Sequence, residues 1–148
     1  MKPSNLFTLS LALSIMTFTL TACTSSPADE SAGMCAKLPM QADGIVRLSE
    51  VEVYPEFLNE YVGFATEVGE TSLRTEPGVL TMYAVSQKDN PCLITILETY
   101  VSQEAYRSHV ASAHFQKYKQ GTLHMVKQLR LLDQIPLNAQ SKLSNYFE

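Results

Sequence analysis

From Gly44 onward the chain alternates between apolar and polar positions. In "GIVRLSEVEVYP", Gly44 to Pro55, Val51 and Val53 alternate with Glu50 and Glu52, the two-residue period of a strand. After Pro55, which suits a first helical turn, the period lengthens. Phe57, Leu58, Tyr61, Val62, Ala65 and Val68 recur at steps of three and four, which predicts an amphipathic helix. It should stop before Glu76-Pro77-Gly78, because proline disfavours helix in the residue before it and glycine suits a turn. "VLTMYAVS", Val79 to Ser86, predicts a second strand, and "QKDNP" a tight hairpin connection. "CLITILETYV", Cys92 to Val101, is a third strand with almost no alternation, so both its faces are expected to be buried.

Ser102 is placed to cap a second helical region, with Glu104 in the first turn, where the helix dipole favours an acid. At about 100° per residue, Tyr106, His109, Val110 and Ala113 share one face of that helix. An unbroken helix would put Lys117 in the middle of the same apolar arc. A break near Ser112 resolves the conflict, with Ser112 capping a short helix through His114, Phe115 and Tyr118. Gly121 is expected to end this region, and "HMVKQLRLLDQI" predicts a fourth strand.

The order is βαββαβ, an α+β, ferredoxin-like plan with a four-stranded antiparallel sheet. Two helical layers cover one face of such a sheet. Since the third strand is apolar on both sides, something must cover the other face, and an identical sheet is the economical answer. A homodimer is therefore expected.

The N-terminus changes the picture of location. Lys2 precedes the apolar run "LFTLSLALSIMTFTL", which is too short and too broken by Ser and Thr for a bilayer span and reads as a secretory signal. Leu20-Thr21-Ala22-Cys23 resembles the bacterial lipobox, which implies acylation of Cys23 and a membrane lipid anchor. Thr24 stands where that rule places Asp for inner-membrane retention, so the expected location is the cell envelope, at the outer membrane if the source has one. Residues 1–22 are thus read as signal peptide, 23–43 as lipidated cysteine and tether, 44–137 as the domain, and 138–148 as a tail. The tether is rich in Ser, Ala, Asp and Pro without periodicity. Two cysteines then remain for an oxidising compartment. Cys35 and Cys92 either form a disulfide pinning the tether to the sheet or stay as free thiols. A net charge of −4 and the lack of any basic stripe argue against a nucleic-acid partner.

Four stretches carry a family resemblance: "VEVYPEFLNEY", "TEPGVLTMY", "ILETYVSQEAYRSH" and "SAHFQKY". In this order and spacing they resemble the antibiotic-biosynthesis monooxygenase (ABM) domain, a dimeric α+β barrel, over about Gly44 to Leu132. Tyr100 stands where many members have Trp, and Ala113 where Pro is common. The resemblance implies oxidation of an electron-rich phenol or quinol with O2, needing neither metal nor organic cofactor. Such a protein must hold an aromatic substrate in an apolar cavity, take a proton from its hydroxyl and exclude water around the anion. Haem-degrading relatives of this fold use a pocket Trp, and this chain contains none.

His109, on the arc facing the sheet, is the candidate for proton transfer, with Glu98 of the third strand to orient it. His109 could equally be a packing residue, and Glu98 could pair with Arg47 or Arg107. Tyr83, Tyr106, Phe115, Tyr118 and Phe64 are candidates to line the cavity, though tyrosines more often serve as core. His114 is a substrate-side candidate that could instead bond a backbone group at the helix break or across the dimer, and His124 is expected at the surface. No His, Cys and carboxylate spacing matches a metal motif. The competing reading is a non-catalytic envelope lipoprotein whose barrel binds a small apolar ligand or a partner.

Overall fold

A computed structural model describes residues 33–137; the signal segment, Cys23 and the tail from 138 lie outside the described residues. Strand β1 spans Ile45–Val53, and a 3-10 turn at Pro55–Phe57 leads into helix α1, Leu58–Thr75. Strands β2 (Val79–Ser86) and β3 (Leu93–Tyr100) form the hairpin. Helices α2 (Gln103–Ala111) and α3 (Ala113–Thr122) precede strand β4, Val126–Asp133. The sheet order is β2-β3-β1-β4, with every pair antiparallel. This is the ferredoxin-like α+β fold that the pattern predicted.

Local chemistry accounts for the boundaries. Proline at 77 stops α1 at Thr75, and Glu76 is already extended at φ −105° and ψ 105°. The Ser102 hydroxyl accepts from the Ala105 amide, and the Ser112 hydroxyl from the Phe115 amide. The break at Ser112 lets Lys117 turn outward to pair with exposed Glu67. Gly121 does not end the helix. α3 runs one residue further, to Thr122, and the glycine serves packing instead, since a Cβ at 121 would meet the Phe64 ring at 2.7 Å.

On the inner face of the sheet, apolar residues occupy both ends and polar ones the middle. Val51, Val53, Ile94 and Ile96 pack with Tyr61 and Met125 at one end. Ile45, Tyr100, Val79 and Leu73 form a second cluster at the other. Between them lie Arg47, Ser49 and Glu98, with Arg47 opposite Glu98 and Ser49 opposite Ile96 in the β1–β3 register. On the outer face Leu48 sits opposite both Leu97 and Leu132, and Tyr83 pairs with Leu97 from β2. Ile94 and Ile96 are buried under the helices, whereas Leu93 and Leu97, on the opposite face, are half-buried.

Cys35 and Cys92 are free thiols. The Cys35 amide bonds the Arg74 carbonyl at the end of α1, and the Cys92 carbonyl accepts from Val53, just before α1 starts. The 18 residues of α1 place these points about 27 Å apart, far beyond disulfide reach. The bridge considered from sequence is excluded on that distance.

Candidate active site

The site begins with an acid in an awkward place. Glu76 follows the C-terminus of α1, where the helix dipole disfavours a negative charge unless a donor compensates it. Two donors do. His109 Nδ1 lies 2.9 Å from Glu76 Oε1, and His114 Nε2 lies 2.6 Å from the same oxygen. The Ser72 hydroxyl, donated to the Val68 carbonyl, stands 3.4 Å from His109 Nδ1. The helix break delivers this geometry, since His109 lies in the last turn of α2 and His114 in the first turn of α3.

His109 is only 1% exposed and sits among aromatic rings. Phe115 meets it edge-on at 4.8 Å, and Tyr100 tilts against it at 5.4 Å between centroids. Burial by itself would raise the Glu76 pKa, but the hydrogen bonds from His109 and His114 outweigh it and hold the carboxyl below its usual range. A neutral imidazole donating from Nδ1 to that carboxylate keeps its lone pair on Nε2, the arrangement of a general base held by an acid.

The same three side chains offer ligand atoms within 4.8 Å of one another, so they could hold a metal ion. Their spacing points elsewhere. Nitrogen or oxygen ligands at about 2.0–2.1 Å from a tetrahedral ion would stand more than 3 Å apart. Contacts of 2.6 and 2.9 Å are those of shared protons.

His109 opens onto a cavity of about 800 Å³ between the sheet and the helices. Its wall includes Tyr100, Tyr106, Phe115 and Tyr118, with Val51, Ile94 and Ile96 toward one end. Arg47, Ser49 and Glu98 supply polar groups to it. Both Glu98 oxygens accept hydroxyl bonds, Oε1 from Ser49 at 2.5 Å and Oε2 from Tyr100 at 2.7 Å. Arg47 bonds Asp133 at 2.7 Å and lies 4.6 Å from the centre of the Tyr106 ring. Tyr61 and Tyr118 share a bond between hydroxyls at 2.7 Å. Burial pushes the pKa of Tyr61, Tyr100 and Tyr118 up, so all three stay phenols and none is a base near neutrality.

A family sequence model for antibiotic biosynthesis monooxygenase matches residues 44–121, over half of the chain. The chain belongs to the antibiotic biosynthesis monooxygenase family. A solved structure from Bacteroides thetaiotaomicron, provisionally named as such a monooxygenase, is 48% identical, with a TM-score of 0.67 over 69% of this chain and 97% of that one. A provisionally named monooxygenase from Lactobacillus acidophilus is 29% identical at TM-score 0.61, covering 64% of this chain and 45% of that one. One from Nitrosomonas europaea, 18% identical at TM-score 0.60 over 68% of this chain and 96% of that one, is alike in fold alone. No functionally curated protein matches.

Within this ABM domain the residues expected from sequence divide. His109, Tyr106, Phe115 and Tyr118 line one cavity, and Tyr83, 62% exposed on the edge strand β2, borders it as well. Phe64 is not in the wall; it packs into the core and against Gly121. His114 is not in the wall either, because it turns to Glu76 rather than to a backbone group. Glu98 does not orient His109, since Ser49 and Tyr100 occupy its oxygens, and Glu76 takes that place. Arg47 and Arg107 pair instead with Asp133 and Glu104. His124 is exposed, edge-on to Phe57.

The depressed Glu76 pKa carries a stability prediction with a definite sign. Its contribution is complete above the unfolded glutamate value of about 4.3 and is lost as pH falls through the lower folded value. Urea midpoints at pH 7 and stepwise down to pH 3 should therefore fall less in Glu76→Gln than in the unaltered chain. Parallel curves would contradict this.

Proposed function

We propose that this chain is a cofactor-independent monooxygenase that oxidises a quinol or phenolic small molecule with O2, exported as a lipoprotein anchored through Cys23. The observation that carries the reading is the Glu76–His109–His114 cluster opening, through His109, onto a largely apolar cavity of about 800 Å³. In this reading the substrate hydroxyl gives its proton to His109 Nε2. Glu76 stabilises the imidazolium that forms, and His114 holds Glu76 in place. The apolar wall keeps water from the electron-rich phenolate, which itself reduces O2. For a quinol the balance is a hydroxyquinone with one oxygen atom of O2, and water with the other.

The assembly belongs to the same proposal. A second copy, docked by its sheet, would cover Leu48, Leu97, Leu132 and Tyr83 on the outer face. Sedimentation equilibrium of the purified chain should give twice the monomer mass, and a monomer at all concentrations would remove this part.

The test of the reaction is oxygen uptake with a panel of reduced quinols and polyphenols. Uptake above autoxidation should drop at least about 100-fold in His109→Ala, at matched circular dichroism. Unchanged uptake in the variant would return His109 to packing. Binding of a phenol with no uptake over the panel would make the protein a ligand-binding envelope lipoprotein instead.

A further inference from the structure

We propose that the segment before the ABM domain completes the site, with Lys37 acting as a positioning residue for Glu76. The family match begins at residue 44, so nothing in that resemblance accounts for what residues 35–43 do. From composition they belong to a tether, yet here they are bonded along the turn that carries Glu76.

The contacts fall on groups that a helix end leaves open. The Cys35 amide donates to the Arg74 carbonyl at 3.0 Å, and the Leu38 amide to the Pro77 carbonyl at 3.1 Å. Lys37 Nζ donates to the Leu73 carbonyl at 2.5 Å and to the Glu76 carbonyl at 3.0 Å. A half-buried ammonium at the negative end of α1 is favoured by the helix dipole. It also ties the last turn of the helix to the backbone of the residue whose side chain both histidines share. The same segment reaches the other half of the site. The Gln41 amide bonds the Val101 carbonyl at 2.8 Å, and Asp43 Oδ2 accepts from the Gln103 amide at the start of α2. The segment thus spans from the Glu76 turn to the helix that carries His109 in its last turn.

Two ring nitrogens on separate helices can share one carboxylate oxygen only if that oxygen is held to within a few tenths of an ångström. Pro77 has no amide to help, and within the domain the Glu76 carbonyl is held by the Val79 amide at 3.1 Å. Lys37 adds a charged bond to that carbonyl from outside the domain. The inference rests on the proposed proton-transfer role only for its catalytic consequence.

The experiment reads the rings directly. In ¹⁵N spectra of the histidine side chains of the full chain, His109 should carry its proton on Nδ1 and His114 on Nε2, each as one sharp set. In Lys37→Met both rings should show exchange between tautomers, and the Glu76 amide should exchange with solvent about tenfold faster. Lys37→Arg should restore both readings, whereas Lys117→Met, an equal charge change in the exposed pair with Glu67, should leave them alone. Unaltered ring signals in folded Lys37→Met would overturn the proposal. So would failure of Arg to restore them, or the same change in Lys117→Met. If Lys37→Met does not fold, Lys37→Gln is read by the same criteria. None of these readings needs turnover, so they stay separate from the outcome of the oxygen-uptake test.

Discussion

Oxygen uptake by Glu76→Gln is expected to fall by about 100-fold, with circular dichroism unchanged. The substitution keeps the size of the side chain and an oxygen able to accept from a ring nitrogen. What it removes is the negative charge that faces His109 at 2.9 Å and His114 at 2.6 Å. Without it the imidazolium formed during proton transfer has no counter-charge, although the amide oxygen can still accept from Nδ1 of the neutral ring. The loss should appear in kcat rather than KM, because Glu76 is not part of the cavity wall. Steady-state rates over a quinol concentration series, normalised to folded protein, decide the matter. A rate equal to that of the unaltered chain would mean that the carboxylate serves packing alone.

Tyr100→Ala should cost about 3–5 kcal/mol of stability, and Tyr100→Phe only about 1 kcal/mol. Tyr100 is fully buried, with its ring against Tyr106 at 5.3 Å and His109 at 5.4 Å. Alanine would empty that space and leave Ile45, Leu73 and Val79 facing a hole. Phenylalanine keeps the ring and loses the hydroxyl bond to Glu98 Oε2, while the Ser49 bond to the other oxygen survives. Urea unfolding at pH 7 measures both changes. Similar losses for the two variants would mean that the hydroxyl, rather than the ring, holds this end of the core.

The helix break shows what local chemistry makes legible. Ser112 as a cap sits at the break and Lys117 in the wrong arc less than two turns beyond it, so α2 and α3 follow from short-range rules. The partner of His109 is the opposite case. Glu76 is thirty-three residues away, and no period or spacing joins the two. The sequence points to Glu98, a carboxylate near the end of the third strand. The fold instead surrounds it with the Ser49 and Tyr100 hydroxyls. One signal for Glu76 did exist in the sequence. An acid at the end of a helix, just before Pro-Gly, carries an unfavourable dipole interaction that some donor must offset.

The sequence by itself determined the order of elements, their ends to within a residue or two and the inward arc of α2, because these depend on residue period, proline, glycine and caps a few positions apart. It also determined that His109 would face the sheet. The tertiary structure alone decided which groups meet: Glu76 with both histidines, Glu98 with Ser49 and Tyr100, Lys37 with the end of α1, and Cys35 far from Cys92. Those meetings depend on how the helices cross the sheet, and a difference of one or two ångströms there decides whether a hydrogen bond exists. Such distances are set by the packing of Tyr61, Tyr100 and Met125 in the core, which no short stretch of sequence encodes.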